Sequence, residues 1–411
     1  MKAGRSAFAA SLVWLLSAQT LDQAKRAFDA GDYADAARLF EKAYEASPRC
    51  DVLFYLGMTR YRLRQLDSAI MTFQGAVGCD PKLLAAHLAL AEAYLEKGND
   101  KEALRAYAGA LEVQPNHADA LRASSALYLR HEMTDPARVT LERLVAVAET
   151  DARARADLGA VYAAAGDLAS AKTQFEQALR LDPQQSSALT GLGNIHLKQG
   201  KVDEAIRLLE QAARLSPKAY EPRFLLGSAY NSLGRFGEAI RELETAIRLG
   251  GEEPEVYYRL ARAYGGAGRQ QDRQRGLDRF LELKEQSKRH AEAKREAAKL
   301  VERALPLVKA GNIESAIPWI EKARELQPGD APILFRLAGL YYDLQKYNAA
   351  RARVEEAIEL SPSEWLYHYL LGLVEKDSGA AERARSSFEN ALRLNPSARE
   401  AEKQLEGLKR R

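Results

Sequence analysis

The sequence predicts an all-α protein, a stack of about eleven helix-turn-helix hairpins finished by a C-terminal capping helix. Small residues recur at Gly57, Ala91, Ser125, Gly159, Gly193, Gly227 and Ala261, each step being 34 residues. Ala, Leu, Glu, Arg and Lys dominate and Pro numbers only 14 in 411 residues, a composition that loses little rotamer freedom on helices. No segment alternates apolar and polar residues as a half-buried strand does. A fixed period of this length marks a repeat architecture, in which each unit buries its apolar face only against its neighbours. Contacts between hairpins far apart in the chain are therefore not expected.

The first residues differ in character from the rest of the chain. Lys2 and Arg5 precede an apolar run from Ser6 to Ala18, and no acidic residue occurs before Asp22. A basic head and an apolar stretch short for a membrane span are the layout of a secretory signal. Residues 1–18 are expected to be a signal peptide, and the mature chain to be exported, periplasmic or secreted. The exit is poor, because cleavage after Ala18 puts Leu16 where a small residue is preferred. An uncleaved N-terminal membrane anchor and an ordinary buried helix of a cytoplasmic protein are the alternatives.

The hairpins then succeed one another with little variation. Ala24 opens the small-residue series 33 residues before Gly57, and Ala304, Ala338 and Gly372 continue it after one longer step of 43. A second small residue falls at Ala36, Ala69, Ala103, Ala137, Ala171, Ala205, Ala239, Ala316, Ala350 and Ala384. Four residues later comes a bulky one, such as Phe40, Phe73, Tyr107, Phe175 or Phe388. Spacings of three and four put such residues on one helical face, where small side chains let two axes approach and large ones fill the gap. Glycines such as Gly98, Gly166 and Gly200 lie between the two helices of a unit, where a left-handed backbone is needed. Prolines such as Pro48, Pro183 and Pro396 close units.

Two units depart from the pattern. The fourth has Ser124, Ser125, Leu144 and no closing Pro. The eighth has Arg273 and Phe280 where small residues are the rule, with the nine extra residues just after it, so its second helix should run long. The expected organisation is a first block of about eight hairpins over 19–280, a charged helical extension or linker over 281–297, a second block of about three hairpins over 298–396, and a cap over 397–411.

These residues resemble the tetratricopeptide repeat (TPR) family. AGDYADAARLFEKAYEASP (Ala30 to Pro48), GKVDEAIRLLEQAARLSP (Gly200 to Pro217) and GLGNIHLKQG (Gly191 to Gly200) follow its pattern nearly letter for letter, and the resemblance covers roughly residues 18 to 396. It implies a right-handed superhelical α-solenoid. It also implies a protein-protein interaction scaffold or adaptor that holds partner proteins or peptides on its concave surface, lined by the first helix of each hairpin.

Composition narrows the function further. Lys plus Arg is 60 against 57 for Asp plus Glu, a net charge of +3 with signs mixed along the chain, which does not suit nucleic acid. The most basic stretch, Lys284 to Arg303, also holds Glu285, Glu292, Glu296 and Glu302. The six histidines are at least 14 residues apart, and with only two Cys no metal motif is formed. No cofactor is implied, no catalytic constellation is visible, and the chain is expected not to be an enzyme. Membrane association would follow only from an uncleaved leader, and the oligomeric state is open. Two other readings stand beside the scaffold: a cell-envelope assembly factor for polysaccharide or outer-membrane machinery, and the helical arm of a separate catalytic subunit.

The inner face of the first helices gives the candidate partner-binding residues: Asn194, Phe224, Asn231, Tyr258 and Arg262 as the best cluster, with Phe54, Tyr61, Phe335, Tyr342 and Tyr369 beyond it. Aromatic rings supply contact area at low entropic cost, and Asn can pair with a peptide backbone. The alternative is that the rings pack sideways between neighbouring first helices. Some TPR proteins hold a C-terminal carboxylate with Lys, Asn and Arg; here only Asn194 matches, Thr190 and Leu225 standing where basic residues are needed, so no such clamp is expected. Cys50 opens one helix and Cys79 closes the antiparallel one, so a disulfide between them is expected in an exported protein, with two buried thiols as the alternative.

Overall fold

Small and large residues sixteen positions apart set the packing of each hairpin. In the computed structural model, which describes residues 19–395 and 398–409, a Cβ added at Gly57 would lie 2.5 Å from the ring of Phe73. The corresponding approach is 2.7 Å for Gly193 and Leu209, 2.4 Å for Gly227 and Leu243, and 2.6 Å for Gly372 and Phe388. Atoms do not come that close, so the first helix of the hairpin carries no side chain there and the second inserts a large one.

All regular structure among the described residues is α-helix. In chain order the helices are α1 (19–29), α2 (Tyr33–Ala46), α3 (Cys50–Arg62), α4 (Leu66–Cys79), α5 (Leu84–Glu96), α6 (Asp100–Val113), α7 (Ala118–Arg130) and α8 (Thr134–Val147). Then come α9 (Ala152–Ala164), α10 (Leu168–Leu181), α11 (Ser186–Lys198), α12 (Val202–Leu215), α13 (Tyr220–Ser232), α14 (Phe236–Arg248), α15 (Pro254–Gly266) and α16 (Gln270–Lys309). The last are α17 (Ile313–Leu326), α18 (Ala331–Asp343), α19 (Tyr347–Leu360), α20 (Trp365–Asp377), α21 (Ala381–Leu394) and α22 (Arg399–Lys409). The expected leader, 1–18, and Pro396 lie outside the described residues.

The turn after α9 shows how the sequence enforces a hairpin. Gly166 takes φ +84°, the Asp167 N–H donates to Tyr162 O (2.9 Å), and the Asp167 carboxylate accepts from Ser170 N (3.0 Å) to cap α10. One Gly thus ends a helix and the next residue starts its partner. Arg64, Glu132 and Gln345 occupy the same left-handed conformation without being Gly.

The helices form two compact units. One runs from Asp100 to Ser287. Its buried clusters follow one another along the hairpins, around Leu121, Leu141 and Leu158, then Phe175 and Ile195, then Leu209, Leu226 and Leu243. The other unit combines the chain up to Asn99 with the chain from Lys288 onwards. Its cores centre on Phe40 and Leu56, on Leu300 and Ile320, on Leu334 and Val354, and on Phe388, which is covered by Ala401 of α22 and by Ala398 just before that helix.

Two features depart from a plain stack. In α16 one helix of 40 residues serves two hairpins. Gly276 lies against Ala261 of α15, while Ala297, Leu300 and Ala304 pack with Ala316 and Ile320 of α17. Residues 284–292 between them are exposed on every side. Secondly, the expectation that hairpins touch only their neighbours fails inside the unit built from both chain ends. Arg393 of α21 donates to both carboxylate oxygens of Asp67 on α4 at 3.1 and 3.2 Å, across 326 residues of sequence. A period in the sequence describes what adjacent hairpins share and is silent about a contact made once.

Candidate functional site

In the unit Asp100–Ser287 the face left by successive first helices is uneven. At one register α11, α13 and α15 carry Thr190, Phe224 and Tyr258, each 34 residues apart. On α9 the open positions are Ala160, Ala163 and Ala164, and α11 adds Ser187 and Gly191. Missing side chains over these helices leave an open groove of about 520 Å³, reaching Glu221 and Pro222 of α13. The Phe175 ring contributes to its floor although that residue is 1% exposed, because Gly159 and Gly191 both leave it room. Asn194 is half-buried in the wall, and Lys198 and Glu221 place opposite charges on the rim. Thr190 also lines it, but its hydroxyl donates to Ser186 O (2.9 Å).

The other candidate residues fall into two groups. Phe224 is half-buried on the edge of the core, Arg262 is exposed, and Tyr258 is 45% exposed with one side on Phe280 at 5.4 Å between ring centres. Asn231 is a correction. It is 3% exposed, and its Nδ2 donates to Arg259 O at 2.8 Å, bridging α13 to α15. At one more turn along the helix the side chain faces the next first helix rather than the open face, so it is not available to a peptide backbone.

In the unit containing both chain ends Phe335 and Tyr342 are engaged sideways on the next first helix, whereas Phe54 and Tyr369 pack on the second helix of their own hairpin. Phe54 packs on Phe73 (6.2 Å), Phe335 on Tyr367 (4.9 Å) and Tyr369 on Phe388 (5.9 Å). The Tyr342 hydroxyl donates to Asp377 at 2.6 Å, and burial followed by this carboxylate pushes its pKa well up. Tyr61 alone of these lines an open cleft, with Tyr33, Arg62, Arg64 and Glu96, and Arg64 is ion-paired with Glu96. Cys50 and Cys79 stand opposite each other on α3 and α4, bonded through sulfur with Cα atoms 5.4 Å apart.

A lateral bond without a counterpart in the sequence reading links successive hairpins. Tyr162, Tyr230, Tyr264 and Tyr341 each donate to a glutamate twenty residues earlier, Glu142, Glu210, Glu244 and Glu321, at 2.7–2.9 Å. Gln74 and Tyr94 make the neutral equivalent at 2.7 Å. His196 stands in this tyrosine column, half-buried, and its Nδ1 is buried without a hydrogen-bond partner. Burial and then the charges of Lys201 and Lys172 hold its pKa below the usual value. Among the described residues no three His, Cys, Asp or Glu side chains are arranged to hold a metal, and no helix is long and apolar enough to cross a membrane.

Three family models, each described as tetratricopeptide repeat, match this chain. One matches residues 21–83, 157–220, 190–254 and 224–272, a second 60–124 and 307–373, and a third 367–397. Together they cover well over half of the sequence. The chain belongs to the tetratricopeptide repeat family. TPR proteins form protein-interaction scaffolds, and that general statement applies here.

Among solved structures the chain is similar to YrrB, described as a TPR protein with an unusual peptide-binding site, at 22% identity over 45% of this chain and 96% of that one, with a TM-score of 0.41. A tetratricopeptide repeat protein from Parabacteroides merdae ATCC 43184 is 20% identical over 60% of this chain and 98% of its own, with a TM-score of 0.38. A structure of Naa15/Naa10 bound to HypK-THB matches 96% of this chain and 66% of its own at 18% identity, with a TM-score of 0.41. No curated protein matches the sequence.

Proposed function

We propose that this TPR protein is a non-catalytic adaptor that holds an extended segment of a partner protein in the groove over α9, α11 and α13. The observation that carries the reading is the run of small residues Ala160, Ala163, Ala164 and Gly191 between larger residues on the flanking helices, leaving about 520 Å³ open to a partner's side chain. The bound segment gains affinity by placing an apolar side chain over the Phe175 floor, while Asn194 pairs with its backbone. Phe224, Tyr258 and Arg262 extend the same face. The open groove does not enclose a substrate away from water, which supports binding rather than catalysis. Export is part of this reading, supported by Lys2, Arg5 and the apolar run after them, and by the pairing of Cys50 with Cys79, which suits an oxidising compartment.

The test is affinity capture with the unaltered chain and with an Ala160→Trp/Ala164→Trp variant. Both positions are exposed and one turn apart, so two indoles fill the groove without entering the core. Partners that the unaltered chain retains and the filled chain loses, at equal helicity, support the assignment. Equal retention by both places the partner surface elsewhere.

A further inference from the structure

We infer that Asp67 and Arg393 form a salt-sensitive latch between the two ends of the chain within the unit that contains both. Asp67 lies in the first turn of α4 and Arg393 in the last turn of α21. The Arg393 guanidinium reaches both oxygens of Asp67 and is also held by Asn390 Oδ1 on its own helix, at 3.2 Å from Nη2. Lys97, the residue closing α5, is ion-paired to the same carboxylate. Two cations from opposite ends of the chain therefore share one anion. Burial works to raise the Asp67 pKa, but bonds from Lys97 and Arg393 outweigh it and the net shift is downward. His368 of α20 belongs to the same cluster: burial lowers its pKa first, and the charges of Arg393 and Lys97 add to that, so it adds no third cation at neutral pH.

The magnitude decides what such a contact does. The Asp67 and Arg393 side chains are 43% and 34% exposed. Partly exposed pairs are worth about 0.2–1 kcal/mol and weaken in salt. Each hairpin at either end already has its own core, around Phe40 and Leu56 and around Phe388, so neither needs the other to fold. The pair is strong enough to bias the ends together and too weak to hold them permanently. It stands on the hairpin fold alone and does not depend on the groove.

The experiment measures the distance between spin labels at Lys82→Cys, beyond α4, and Glu382→Cys, on the first turn of α21, both exposed. Going from about 0.01 M to about 1 M salt shortens the screening length from roughly 30 Å to roughly 3 Å. A dominant narrow component is expected at low salt, its share falling as salt rises and the distribution broadens. Arg393→Glu should give the broad distribution at both salts, Arg393→Lys should bring back the narrow component at low salt, and circular dichroism should be unchanged throughout. A separation that either salt or Arg393→Glu leaves in place overturns the latch, as does a distribution already broad at low salt in the protein with native Arg393.

Discussion

Gly191 on α11 lies against the ring of Phe175 on α10, so closely that a Cβ there would sit 2.2 Å from the ring's Cζ. Phe175 meets Gly159 of its own hairpin in the same way, at 2.7 Å. One ring thus fastens two successive hairpins and floors the groove. Gly191→Val should destabilise by about 1–3 kcal/mol through overpacking, and Phe175→Ala by about 3–5 kcal/mol through the cavity it leaves. Urea titration followed by circular dichroism checks both.

The tyrosine–glutamate bonds make stability fall in alkali. Burial and then the neighbouring glutamate push Tyr230 and Tyr264 from 10.0 up to about 12. The folded chain therefore keeps protons that the unfolded chain gives up, so this stability is intact below pH ~10 and is lost as pH rises towards ~12. Melting temperature should drop between those limits, and Tyr230→Phe/Tyr264→Phe should flatten the drop. A variant with an unchanged alkaline slope would assign the effect to other groups.

Separating binding from packing requires two variants on neighbouring helices. Phe224→Ala/Tyr258→Ala should weaken partner binding at constant helicity, because Tyr258 is 45% exposed on the same face as the groove. Asn231→Ala should instead cost about 1–2 kcal/mol of stability, through loss of the bond to Arg259 O, and leave affinity unchanged. Isothermal titration and urea unfolding of both proteins read the two effects independently.

Oxidation state reports on the N-terminal hairpins and on export together. Closing the 29-residue separation between Cys50 and Cys79 should stabilise by about 2–4 kcal/mol, so a reductant should lower the melting of this region by a corresponding amount. Freshly isolated protein, unfolded without reductant, should show no free thiol. Two titratable thiols would remove both the bridge and its support for an exported chain, and the N-terminal residue of the mature protein would locate the cleavage site.

The repeat is readable in the sequence because each column has a packing cause. Gly57, Gly193 and Gly372 are small since Phe73, Leu209 and Phe388 occupy the space beside them, and that relation returns with every hairpin. The family models leave residues 125–156 and 273–306 unmatched, where the fourth unit loses its closing Pro and where α16 runs from one hairpin into the next. The site is less readable. Asn194 stands in the groove, but Ala160, Ala163 and Ala164 carry no signal of their own, since a groove is made by side chains that are short. Asn231 misleads in the other direction, because a polar residue on a first helix looks open until the next helix is in place. Arg393 and Asp67 have no periodic signature at all.

Site-specific photocrosslinking of the captured partner reads occupancy of the groove directly. A photoreactive residue is placed at Asn194 in the groove wall or, as control, at exposed Arg207 on α12. A partner segment lying in the groove gives adducts to one short stretch of the partner from position 194 and none from position 207. Adducts from position 207 alone would contradict it and move the partner surface to the second helices.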